Sequence, residues 1–153
     1  MTRSANAEGD RRFLEDPAQF TPPAEQTDHP AMVEAGPASY KQMLVLRTDL
    51  NMRRGKEIAQ GAHASIKVVI ENFEHPDVLA WLAGPFAKIA VGIDGEEALL
   101  ALVARAREAG ILTATITDAG RTEFHGRPTL TAAAIGPATA ARLAPITGHL
   151  KLR

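Results

Sequence analysis

The sequence contains no cysteine, which excludes a disulfide scaffold, a thiolate zinc site and a cysteine nucleophile. No apolar run approaches the roughly 18 residues that a membrane-crossing helix needs, so no membrane partner is expected. The N-terminus has no apolar stretch ahead of a cleavage site. That argues against a signal peptide and leaves the cytoplasm as the expected compartment. Glycine-rich phosphate motifs are missing as well. Gly92-Ile93-Asp94-Gly95 lacks the spacing that binds a dinucleotide, and no phosphate-loop lysine motif occurs. Nor does a second histidine or a carboxylate stand at metal-ligand spacing from His63, so no metal site is expected.

What is present divides in two. The 153 residues, 45% hydrophobic and 23% charged, suit one domain of ordinary size with a real core. Residues 1–39 differ from the rest. They hold three arginines (Arg3, Arg11, Arg12) against seven acidic residues, together with five of the ten prolines. Phe13, Leu14, Phe20, Met32 and Val33 follow neither a helical nor a strand period. This segment reads as a disordered, acidic, Pro-rich extension. With 17 basic and 18 acidic residues in all, fourteen and eleven remain for a domain over 40–153.

Beyond Tyr40 the elements can be read in turn. Met43–Leu46 is a short apolar strand. A helix is expected from about Gly55 to Phe73, with Ile58, Ala62, Ile66, Val69, Ile70 and Phe73 as its buried stripe. Pro76 restarts the chain into a short helix that stops at Gly84-Pro85, and Phe86–Ile93 alternates as a second strand. Asp94 reads as the N-cap of a helix that opens with Glu96 and Glu97 and ends at Gly110. Ile111–Thr117 is rich in β-branched residues and reads as a third strand. A polar loop over 118–128 leads to a fourth strand at Leu130–Ile135, and Gly136-Pro137 opens a last helix. This order predicts an α/β fold, a three-layer α/β/α sandwich with a mixed four-stranded sheet.

Three polar clusters stand apart from the expected core. On an ideal helix Lys56, Gln60, His63 and Lys67 fall within about 60° of one another. A solvated face gives the same pattern. However, the stripe begins at a helix N-terminus directly after a strand, where α/β sheets place ligand crevices and anions. Arg53, Arg54 and Lys56 crowd positive charge where the helix dipole prefers acids, and a phosphate partner explains that crowding. The second cluster, Asp118-Ala119-Gly120-Arg121-Thr122, begins where the third strand ends. It reads either as a carboxylate poised toward water beside a hydroxyl or as an Asx turn closed by Gly120. The third, Thr147–Arg153, is a basic tail that an ordinary surface strand also explains.

Together these stretches resemble the archaeal and eukaryotic type (type II) of peptidyl-tRNA hydrolase, a family that also occurs in some bacteria. The resemblance rests on Arg47-Thr48-Asp49-Leu50, Gly55-Lys56 with Gln60 and His63-Ala64, Asp118–Thr122, Ala134-Ile135-Gly136-Pro137 and Thr147–Leu152, five motifs in family order. The chain is read as a bacterial member. The resemblance implies cofactor-independent hydrolysis of the ester between peptide and tRNA. It matches Lys56, Gln60, Asp118 and Thr122 to the family's proposed catalytic set, with His63 as possible support. Arg53, Arg54, Arg121 and Lys151 are the candidates for tRNA phosphates. Peptidyl-tRNA is the expected partner, and a homodimer is left open. Arg53-Arg54-Gly55-Lys56 departs from the family's usual Gly-Lys-Gly-Lys, and a guanidinium fork presents a different geometry to phosphate. The alternative reading is an idle module of the same fold that binds tRNA ends or a protein.

Overall fold

A computed structural model describes residues 39–153. The expected extension over 1–39 lies, but for Ser39, outside the described residues. Nine elements follow in order: β1 (Tyr40–Arg47), α1 (Arg54–Glu71), α2 (Pro76–Ala83), β2 (Ala87–Ile93), α3 (Glu96–Glu108), β3 (Thr113–Asp118), β4 (Thr129–Thr139), α4 (Ala140–Thr147) and β5 (Lys151–Leu152). The class is α/β as expected, but the mixed sheet has five strands, in the order β3-β4-β1-β2-β5. The added strand is the basic tail, whose two residues pair antiparallel with Val91 and Gly92 of β2. The surface-strand reading of that tail is the one the structure shows, though two residues are too few for a period that would have counted it into the sheet.

β1 and β2 run parallel, while β4 runs antiparallel to both β1 and β3. β1, β2 and β3 therefore point the same way. Their carboxyl ends share one edge of the sheet with the N-termini of α1 and α3. Two apolar cores flank the sheet. On one face Met43, Val45, Val91 and Ile135 pack with Leu99, Leu102 and Val103 of α3 and Leu143 of α4. On the other, Leu46, Ala114, Ala132 and Ala134 pack with Ala64 and Val68 of α1. Among the described residues no helix is long and apolar enough to cross a membrane.

Several expectations are corrected. The apolar stripe of α1 is not its buried face: Ile58, Ile66, Ile70 and Phe73 are between 53% and 70% exposed. The helix buries Gln60, Gly61, Ala64, Ser65 and Val68 instead. The centres of the two faces lie about 150° apart on an ideal helix. Small residues win the inner face because α1 lies against the alanines of β4, where bulk would hold it off. The polar residues among them are satisfied. Ser65 Oγ donates to Gln42 Oε1 at 2.6 Å, and Gln42 Nε2 to the Ser65 carbonyl at 3.3 Å.

The N-cap of α3 is Gly95, at φ 96°, and not Asp94. β4 runs through Gly136-Pro137 to Thr139, and Thr139 caps α4. Gly136, at φ 92°, has no room for a Cβ against the carbonyl of Lys41, so its glycine serves the strand and not a helix start.

Candidate active site

α1 begins directly after the β1 loop and places Lys56 in its first turn, with Gln60 one turn further on the same side. β3 ends on Asp118. Ala114 and Ile116 of that strand belong to the core under α1, so alternation turns Asp118 to the same face. The two elements meet there. Lys56 Nζ stands 2.8 Å from Asp118 Oδ1 and donates to Thr122 Oγ1 at 3.1 Å. Gln60 Nε2 donates to Asp118 Oδ1 at 3.1 Å, and the Gly120 N–H donates to Asp118 Oδ2 at 2.8 Å. The turn and the carboxylate cluster thus coexist. Gly120 has φ 78°, and a Cβ there would collide with the Arg127 backbone.

The side chains of Lys56 and Asp118 are only 12% and 17% exposed. Lys56 also sits over the Phe124 ring, 5.2 Å from its centroid, a cation–π contact. The Lys56 ammonium holds the Asp118 carboxyl below its ordinary range, assisted by the Gly120 N–H and Gln60 and opposed by desolvation. The result is an ion pair at the carboxyl edge of the sheet, with one carboxylate oxygen held by side chains and the other by backbone. Such a pair can position water, polarise a carbonyl and receive an oxyanion.

Thr131 escapes the sequence reading. It is fully buried, its hydroxyl donates to Gln60 Oε1, and it also lies 3.3 Å from the Ile116 carbonyl. Alternation from Ala132 and Ala134, which face α1, would send residue 131 to the opposite side. The β3–β4 register jumps at this point: Ile116 pairs with Ala132, but Thr117 pairs with Leu130. Thr131 is the extra residue of a β-bulge, and the bulge turns it back toward α1. A hydroxyl in an otherwise alanine-rich run was the available signal.

The remaining candidates spread outward. His63 is exposed on α1, and no hydrogen bond among the described residues ties it to the cluster. Arg53 reaches back to Glu123 at 2.8 Å and keeps that carboxyl below its usual range. Arg54 and Arg121 are exposed near the cluster's rim. Lys151 lies elsewhere, in a cleft of about 590 Å³ between α3 and β5 that Thr48, Asp94, Arg105, His149 and Arg153 also line. Arg153 in turn bonds to Glu57, the neighbour of Lys56. Among the described residues no group of three histidine or acidic side chains could hold a metal ion.

Comparison with known proteins identifies the family. The family model described as peptidyl-tRNA hydrolase PTH2 matches residues 40–153. A peptidyl-tRNA hydrolase of Methanocaldococcus jannaschii is 39% identical over 114 residues, covering 73% of this chain and 98% of that protein. One of Thermococcus onnurineus is 39% identical over 115 residues, with 74% and 97% covered. The human protein named peptidyl-tRNA hydrolase 2, mitochondrial, is 36% identical over 128 residues, with 82% and 71% covered.

Proposed function

The chain belongs to the peptidyl-tRNA hydrolase PTH2 family, and from that premise we propose that Lys56, Gln60, Asp118 and Thr122 carry out its reaction. The protein is a hydrolase that cleaves the ester between peptide and tRNA. Water attacks the ester carbonyl, the bond to the ribose oxygen breaks, and that oxygen leaves with a proton. The observation that carries the assignment is the 2.8 Å Lys56–Asp118 pair, with both carboxylate oxygens oriented.

A carboxylate whose pKa is lowered is a weak proton acceptor. Asp118 therefore acts chiefly by aligning the attacking water, which bonds to the ester carbon while one of its protons passes to the ribose oxygen as the bond to that oxygen breaks. Lys56 stabilises the developing oxyanion, and Gln60 and Thr122 orient the carboxylate and the ammonium. His63 is a supporting residue at most. Arg53, Arg54, Arg121 and Lys151 meet tRNA phosphates, so binding is salt-sensitive. The deciding experiment compares release of free tRNA from an N-blocked aminoacyl-tRNA with hydrolysis of a small ester. Preference for the former supports the reading. Binding without release would instead favour the idle module.

Two copies pair through the exposed stripe of α1. Ile58, Ala62, Ile66 and Ile70 repeat at four-residue spacing. An antiparallel pair about a two-fold axis then sets Ile58 against Ile70 and Ala62 against Ile66. The basic start of each helix meets the acidic end of the other, Glu71 and Glu74. An apolar surface of this length on an exposed helix is uncommon in a monomer. We propose a cytoplasmic location, where a translation product would be met, and a bacterial source.

A further inference from the structure

We infer that Arg47 is a positioning residue for the hydrolysis, acting from the far face of the sheet by holding the bulge that places Thr131 beneath Gln60. The inference rests on the catalytic assignment above.

Arg47 is the last residue of β1 and alternates with Leu46, so it points away from α1, toward α3. It is 7% exposed and every reach of its guanidinium is used. Nε and Nη2 donate to the two carboxylate oxygens of Asp49 at 3.1 and 2.6 Å. Nη1 donates to Glu96 Oε2 and to the Leu130 carbonyl, both at 2.8 Å. Asp49 is itself fixed, accepting from the Gly95 N–H at 3.0 Å. The fork thus joins the end of β1, the start of α3 and the bulged stretch of β4. The regular β1–β4 pairing ends at Leu46 and Ala132, so Arg47 substitutes a side-chain bond to Leu130 for the ladder bond the bulge forfeits.

The consequence appears on the other face. With Leu130 anchored toward α3, the extra residue Thr131 turns to α1, and its hydroxyl donates to Gln60 Oε1. That bond holds the Gln60 amide in place from below, and the Asp118 carboxylate, which can only accept, sets its nitrogen as the end that faces the site. The amide nitrogen is thereby directed at Asp118 Oδ1, 3.1 Å away. Were the amide reversed, its carbonyl oxygen would face the carboxylate and repel it. The relay runs from Arg47 through Leu130 and Thr131 to Gln60 and Asp118. It gives the Arg47-Thr48-Asp49 motif a role that its place behind the sheet conceals.

The test uses the full chain with Arg47→Met, Thr131→Val and the pair combined. Kinetics on peptidyl-tRNA and the ¹⁵N–¹H signals of the Gln60 side-chain amide are the readouts. Arg47→Met should lower kcat by roughly 10- to 100-fold, the size of a small misplacement, and leave KM within about two-fold. Thr131→Val should move the Gln60 signals in the same way, and the double variant should be no worse than the poorer single one, since coupled residues are not additive. Where Arg47→Met does not fold, Arg47→Lys decides. Its ammonium cannot span Asp49, Glu96 and Leu130 together, so it should still displace the Gln60 signals. A folded Arg47 variant with native Gln60 signals, or losses that multiply in the double variant, would overturn the inference. Because the amide signals are read without substrate, they test the relay even if the chain proves inactive on peptidyl-tRNA.

Discussion

A carboxylate that accepts from an ammonium, an amide and a backbone N–H is easier to keep charged than to protonate. For Asp118 this has two measurable effects. Asp118→Asn keeps the size and removes the charge that aligns the water and Lys56, so turnover should fall by about 10²-fold. Affinity for tRNA should stay equal or rise slightly, because a negative charge near the phosphates is gone. Single-turnover release of tRNA checks this, and near-full activity in a folded variant would refute the assignment. The second effect is on stability. Because the folded pKa is lowered, the ion pair stabilises the native state above the unfolded value of about 3.9. That contribution fades as pH falls through the folded value. The stability gap between the unmodified protein and Asp118→Asn, measured by denaturant melts, should be full at pH 7 and shrink below about pH 4.

At the scale of the element, α1 presents three faces with three tasks. Its inner face is made of small residues that allow close approach to β4, its flank carries Lys56 and Gln60 to the site, and its outer face is apolar. Ile66→Glu, at a residue 53% exposed, should leave folding and the Lys56–Asp118 pair intact. If the proposed α1 pairing forms, the substitution should convert that dimer to a monomer by light scattering, and a variant that stays dimeric, or an unmodified protein that is monomeric, would overturn the pairing. Arg54 opens the same helix without a capping role. Arg54→Glu should raise KM for tRNA more than it lowers kcat and flatten the salt dependence. Loss confined to kcat would move Arg54 into the chemical step.

For the whole molecule, the charge distribution separates the acidic residues 1–39 from a basic remainder, and the family match begins at residue 40. An acidic segment does not assist binding to an RNA backbone. Removing residues 1–39 should therefore leave most tRNA-hydrolysing activity, measured at equal protein and fixed salt. A folded truncation that loses most of it would assign the extension a part in catalysis.

Local periods along the chain sufficed for the order of the first eight elements, the mixed α/β class, and the two stretches that form the candidate site. Lys56 and Gln60 lie one turn apart, and Asp118 ends a strand, because helical and strand periods are local properties of the chain. Tertiary structure decided the rest. The outward face of α1 contradicts its amphipathic pattern because the neighbour it packs against is a strand of alanines, and a neighbour is not encoded in a helix's own period. Thr131 turns toward Gln60 only through a one-residue bulge, and Arg47 holds that bulge through contacts 49 and 83 residues away in sequence. Such register is set by pairing between distant segments, so no window along the chain contains it.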